Sequence, residues 1–226
     1  MTINVVEKID EMVKVETVLV SVSDKSGLEN FIPELLSVNP GLTILSTGGT
    51  YGRIREILSD AGRRRLKQVS DYTGQPETQG GLVKTLDFKI YLGLLTETYN
   101  DAHQADLQRT GAIPIDMVVV NLYPFRQTIA RREATVEAAR GNIDIGGPCM
   151  IRAAAKNFIR VASVVDPGDY GAITDSLRRN GGATPLDLRF RLAGKAFRHT
   201  AEYDRAIAEY FERTGFDDVQ SCYPRK

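Results

Sequence analysis

The sequence predicts an α/β fold: a mainly parallel sheet with helices on both faces and a helical C-terminal extension. Three observations predict it. β-Branched and apolar runs at 16–23, 42–45, 115–122 and 160–165 alternate with stretches whose apolar residues recur at helical spacing. Turn residues such as Pro40-Gly41, Gly48-Gly49 and Pro167-Gly168 punctuate the alternation. From residue 185 to 213 the pattern is helical without a strand between.

The elements follow in order. Residues 1–16 are polar and mixed in charge, and read as a loosely held leader. Residues 16–23 form the first strand. Leu28, Phe31, Ile32, Leu35 and Leu36 then mark one stripe of a helix that Pro40-Gly41 ends. Residues 42–45 are a second strand, and the turn 46–50 leads into a helix carrying Ile54, Ile57 and Leu58. Residues 66–69 are a third strand, 70–81 a polar loop, and 83–95 fit helix or strand equally. A helix over 101–109 precedes 115–122, the most strand-like run in the chain. Helices over 135–139 and 148–157, a strand at 160–165 and a turn at 166–169 opening another helix complete the alternation. In the C-terminal stretch Leu192, Ala196, Phe197, Ile207, Tyr210 and Phe211 are the expected core positions. The Gly182/Pro185 stretch is the one candidate internal boundary, and residues 215–226 are a tail.

The chain of 226 residues is 42% hydrophobic and 26% charged, the balance of a soluble globular domain. Its longest apolar run is residues 117–120, which excludes a membrane span. No charged segment followed by an apolar stretch opens it, so no secretory signal is expected. Lys plus Arg equals Asp plus Glu at 29 each, which argues against a nucleic-acid partner. Cys149 and Cys222 make no disulfide scaffold, and with His103 and His199 isolated no metal site is expected. These features point to a cytoplasmic chain.

Chemistry-bearing residues gather at the strand ends, where such folds bind ligands. Ser21, Ser23 and Lys25 close the first strand beside a helix start. They suit an anion, though Ser23 or Asp24 acting only as a helix cap explains them equally well. Thr47, Gly48, Gly49 and Thr50 close the second, with glycines that admit a phosphate. The spacing matches neither a Walker loop nor a dinucleotide fingerprint. Lys84 and Thr85 follow Gly80-Gly81, and Asn121 and Tyr123 end the most apolar strand. The densest cluster is 142–148, with Asp144, Gly146 and Gly147, followed by Arg152, Lys156 and Asn157. Asp144 and Lys156 share no helical spacing. They meet only if the loop folds back across the helix, and otherwise are an N-terminal acid and a solvated lysine.

These motifs resemble the IMP cyclohydrolase domain of the AICAR transformylase/IMP cyclohydrolase family. The matching pieces are Ser21-Val22-Ser23-Asp24-Lys25, Ser46-Thr47-Gly48-Gly49-Thr50, Val83-Lys84-Thr85-Leu86, Asn121-Leu122-Tyr123-Pro124-Phe125, residues 142–147 (Asn-Ile-Asp-Ile-Gly-Gly), residues 152–157 (Arg-Ala-Ala-Ala-Lys-Asn) and residues 195–204. They span about residues 17–211 in order. The resemblance implies a methylglyoxal-synthase-like fold over 17–214. It implies a hydrolase-class cyclohydrolase of purine biosynthesis that closes 5-formamidoimidazole-4-carboxamide ribotide to IMP. It implies a homodimer with no cofactor, and a separate formyltransferase as supplier, the transformylase domain lying outside these residues. Carried over by motif, Lys84 polarises or protonates the leaving oxygen. Asp144 and Lys156 handle the carboxamide proton, Tyr123 orients the reacting group and Asn121 reads the carboxamide or base edge. Ser21, Ser23, Lys25, Thr47, Gly48, Gly49, Thr50 and Thr85 surround the phosphate and ribose, with Gly146 and Gly147 also in the substrate site.

The sequence departs from the family at Leu82, where arginine is usual, at Asp87 and Tyr91, which replace histidines, and at Gln75, Thr78 and Gln79. Lys89 is the nearest cation to stand in for the arginine. The departures leave two other readings open: a noncatalytic phosphate-ligand module of the same fold, and an enzyme on a related phosphorylated metabolite.

Overall fold

The structure is a computed structural model that describes residues 5–76, 78 and 83–224. Five parallel strands make the central sheet in the order β4-β3-β2-β5-β6. They are β2 (Thr17–Val22), β3 (Thr43–Ser46), β4 (Leu66–Gln68), β5 (Met117–Asn121) and β6 (Ala162–Val164). The chain winds outward from β2 to β3 and β4, then crosses to the other side for β5 and β6. The direction reverses between β2 and β5, which leaves a crevice beyond their carboxyl ends.

Side chains alternate across the sheet. Val18, Val20 and Val22 of β2 face one core with Met117 and Val119 of β5. That core is covered by α1 (Leu28–Val38), α2 (Gly48–Ile57) and α10 (Tyr170–Arg179), through residues such as Phe31, Ile54 and Ile173. Leu19, Val118 and Val120 face the other core, under α5 (Phe88–Leu95), α9 (Gly146–Lys156) and α11 (Leu186–Arg213). A third cluster sits where α7 (Phe125–Ile129) and α8 (Val136–Gly141) meet α11 around Phe125, Ala139 and Ala206.

Several expectations need correction. The leader residues nearest the domain are held: β1 (Met12–Lys14) pairs antiparallel with β7 (Ala183–Pro185), and Val15 is buried. The pair runs through the stretch expected to hold a boundary. Arg189 of α11 is fully buried and donates to the carbonyls of Asp10, Glu11, Phe158, Ile159 and Thr184, fixing the same segment. In the expected loop at 70–81, Val69–Thr73 is a short helix, α4, whose Val69 enters the core. Residues 77 and 79–81 lie outside the described residues. The ambiguous stretch 83–95 contains α5, started by the Asp87 carboxylate accepting from the Lys89 N–H at 2.8 Å.

Leu192 and Ala196 of α11 are buried, but Phe197 and Phe211 are 39% and 56% exposed and are not core. The 28-residue α11 is longer than the sheet it covers, so its apolar positions are not all matched by neighbours. The remaining elements are α3 (Asp60–Arg63), α6 (Asp101–Thr110) and α12 (Phe216–Cys222), the last within the expected tail. Among the described residues no helix is long and apolar enough to cross a membrane.

Candidate active site

The crevice at the β2–β5 reversal opens into a cleft of about 410 Å³, within the range of small-ligand sites. Every candidate residue from the sequence lines it except Arg152, Lys156 and Asn157. One wall comes from the ends of β2 and β3. The hydroxyls of Ser21 and Thr47 are 3.1 Å apart across the two strands. The Thr50 hydroxyl accepts from the Val22 N–H at 3.1 Å and donates to its carbonyl at 3.0 Å. Thr50 therefore builds the wall, and its one proton is already given away.

The helix α2 begins at the Gly-Gly turn with no side chain capping its first N–H groups. Gly48 has φ +45°, a conformation that favours glycine, and a Cβ there would come 3.0 Å from Lys84 Nζ, which places that ammonium beside the turn. Lys25 comes up beside Gly49, with its Nζ donating to the Ser23 carbonyl at 3.2 Å. Two ammonium groups and an uncapped helix start thus converge, an arrangement suited to an anion.

Asn121 sits at the floor of the crevice. Its side-chain oxygen accepts from the N–H groups of Ser23 and Asp24 at 2.7 and 2.9 Å, and its amide donates to the Asp24 carbonyl at 2.9 Å. This clasp ties the ends of β2 and β5. The amide expected to read a base edge is mostly committed to the backbone, so Asn121 shapes the site.

The opposite wall is the start of α9. The helix begins at Gly146, two residues before the expected Pro148. A Cβ on Gly146 would meet the Thr85 hydroxyl at 2.5 Å, and one on Gly147 would meet Asp144 Oδ2 and Leu122 Cδ2 at 2.7 Å. Close approach explains the glycine pair where propensity disfavours it. The Asp144 carboxylate accepts from the Gly147 N–H at 2.8 Å. Burial pushes the Asp144 carboxyl above the ordinary carboxylate range, against the lowering by the Gly147 and Tyr123 N–H groups. The Lys84-Thr85 segment spans from the α2 turn to the α9 turn, and Tyr123 stands half exposed at the rim.

Lys156 is not brought to this cleft. It lies in the last turn of α9, exposed and about 15 Å along the helix from Gly146. The loop carrying Asp144 does not fold back across the helix. Arg152 is also outside, stacked over Phe197 at 5.4 Å, and Asn157 is buried, donating to the Leu94 and Thr96 carbonyls. Of the departures, Asp87 caps α5 and Tyr91 packs in the core beneath α9, where burial pushes its hydroxyl pKa up. Leu82 and Gln79 lie outside the described residues. Lys89, the expected stand-in for the arginine, does not line the cleft, and its Nζ donates to the Tyr72 carbonyl at 3.4 Å. Among the described residues no cluster of His, Cys, Asp and Glu could hold a metal ion.

A wider cleft of about 850 Å³ adjoins and shares Asn121 and Tyr123. There the Lys195 ammonium is occupied by Asp166 and Asp169 at 2.6 and 2.7 Å. The smaller cleft gathers the glycine turns and the half-buried Asp144, and is the better candidate for a reaction site.

Comparison with known families bears on the fold and the family. Residues 27–149 match the family model described as MGS-like domain. The chain belongs to the MGS-like domain family. Residues 154–225 match a second model, AICARFT/IMPCHase bienzyme. The two matches in one chain are consistent with an IMP cyclohydrolase domain of MGS-like fold. The solved structure of ForH is similar over 87% of this chain and 99% of its own, with 32% identity and a TM-score of 0.74. The AICARFT/IMPCHase match suggests that this MGS-like chain is an enzyme, and the family suggests a purine ribotide substrate.

Proposed function

We propose that this MGS-like protein is an IMP cyclohydrolase, closing 5-formamidoimidazole-4-carboxamide ribotide to IMP with loss of water. The observation that carries the reading is the cleft itself: Lys84 and Asp144, whose carboxyl pKa burial raises, sit on walls that two helix starts and two glycine turns form. The carboxamide nitrogen attacks the formyl carbon, forming a C–N bond. One nitrogen-borne proton reaches the formyl oxygen, giving a hydroxyl. A second leaves with that hydroxyl as water, and a C=N bond forms.

Lys84 supplies the proton to the oxygen and steadies its developing charge. Asp144 takes and returns the nitrogen proton, a task for which a carboxyl with a raised pKa is matched. Tyr123 orients the carboxamide from the rim. The 5′-phosphate lies against Lys25, Thr47, Gly48 and Gly49, with Ser21, Ser23 and Thr85 toward the ribose. Lys156 has no part in this scheme. No cofactor is required, since nothing is oxidised or reduced. The chain acts in the cytoplasm as a homodimer, supplied by a separate formyltransferase.

The test is direct: purified protein is mixed with the formamido ribotide and IMP absorbance is followed. Formation of IMP at an enzyme-dependent rate supports the reading. A second reading, action on a related phosphorylated metabolite, draws on Asp87 and Tyr91, whose side chains serve a helix cap and the core where the family carries histidines. Binding of IMP without turnover of the ribotide would favour that reading or a noncatalytic module. Sedimentation equilibrium checks the dimer, and a mass near 25 kDa at every concentration would rule it out.

A further inference from the structure

Tyr203 bears none of the proposed chemistry, yet it holds the loop that does. It projects from α11, none of whose residues lines the cleft. Its hydroxyl accepts from the Asp144 N–H at 2.8 Å and donates to the Asn142 carbonyl at 3.0 Å. One oxygen thereby fixes the backbone on both sides of Ile143. The ring is fixed in turn by the third cluster, where it meets Phe125 edge-on with centroids 6.2 Å apart. Ile143, between the two clamped residues, packs against the same cluster. From this frame the Asp144 side chain turns back to the Gly147 N–H and into the cleft.

We propose that Tyr203 is a positioning residue for Asp144: its hydroxyl clamps residues 142–144 so that the carboxyl is presented to the reacting nitrogen at a fixed place. This rests on the reading of the cleft as a ring-closing site. A hydroxyl satisfied only for its own sake would lower stability when lost, with no selective effect on the chemical step. A clamp acts through geometry, where small misplacements cost rate.

Tyr203→Phe keeps the ring in its cluster and removes the clamp. Its kcat is expected to fall about tenfold, with KM for the ribotide within about twofold of wild type. In an Asp144→Asn background the same change is expected to move kcat by less than about twofold, because the route through the carboxyl is already lost. Tyr210→Phe, in the same cluster, is the control and leaves kcat within about twofold. Wild-type kcat in Tyr203→Phe, or losses that multiply in the double variant, would overturn the proposal.

A second measurement is independent of turnover. Carbon-13 titration of the Asp144 carboxyl is expected to shift downward in Tyr203→Phe as the released loop hydrates, and an unchanged titration would overturn the clamp. If the wild-type protein forms no IMP, the ring-closing reading fails, and this titration still decides the clamp.

Discussion

The two ends of α9 are built from adjacent sequence motifs and do opposite work. At the N-terminal end, two glycines let backbone, Asp144 and Thr85 crowd together at an open cleft. At the C-terminal end, Asn157 and Arg160 bind the carbonyls of Gly93, Leu94 and Thr96, and Arg160 pairs with Asp116 at 3.0 Å in the interior. Asp116 also accepts from the N–H groups of Glu16 and Thr17 at 2.9 Å. Polar groups at the first end face space for a ligand, whereas those at the second are consumed by the protein. Lys156 stands at this second end, where a cation complements the negative end of the helix dipole. Proximity in sequence is therefore a poor guide to a shared site when a helix lies between.

The largest expected effect is at the cleft end. Lys84→Ala and Asp144→Asn should each lower ribotide turnover by about 10²- to 10⁴-fold. Calorimetry with IMP should show much smaller losses of affinity, because groups acting in the transition state govern kcat. Near-wild-type turnover in either variant would remove that residue from the mechanism and dissolve half of the contrast.

Next comes the structural end. Asp116→Ala strands the buried Arg160 guanidinium and should cost about 3–5 kcal/mol in urea unfolding. Ribotide turnover per folded molecule should change little. A loss of turnover without a loss of stability would place this end in the chemistry after all.

A smaller effect follows from the raised Asp144 pKa. The folded state keeps a proton that the unfolded chain releases above the ordinary value of 3.8. The stability linked to that proton is full at low pH and is lost as pH rises through the folded pKa. Asp144→Asn should therefore match wild type in stability near about pH 3 and gain on it toward about pH 7. Parallel stability curves over that range would mean that the carboxyl is not desolvated.

The smallest effect belongs to Lys156. Lys156→Ala should leave turnover within about twofold and stability within about 0.5 kcal/mol. A hundredfold loss of turnover would bring the two ends of α9 back into one site.

Much of the fold was legible because local and global preferences agree. β2, β3 and β5 are apolar runs of β-branched or aliphatic residues, and the α1 stripe of Leu28, Phe31, Ile32 and Leu35 is buried as its spacing predicts. The β1–β7 pair was not legible, because each strand has three residues and is defined by a partner far along the chain. In the site, the strand-end residues were legible from residue type and position alone. The commitments of Asn121 and Thr50 to backbone partners were not, since they depend on how two strand ends face each other. Tyr203 carries no local signal beyond its place in a matching motif. Its link to Asp144 spans 59 residues and appears only once α11 lies over the α7–α8 cluster.

The stitching by Arg189 also orders events in time. One guanidinium holds carbonyls at residues 10 and 11 together with those at 158, 159 and 184. During synthesis the first segment therefore waits, unpaired, until residues 183–189 have emerged. Closing so long a loop adds little free energy beyond a shorter one, about 0.6 kcal/mol for each doubling, but such distant contacts form slowly. The nascent central sheet can assemble first, and the β1–β7 ladder forms only after β7 has emerged.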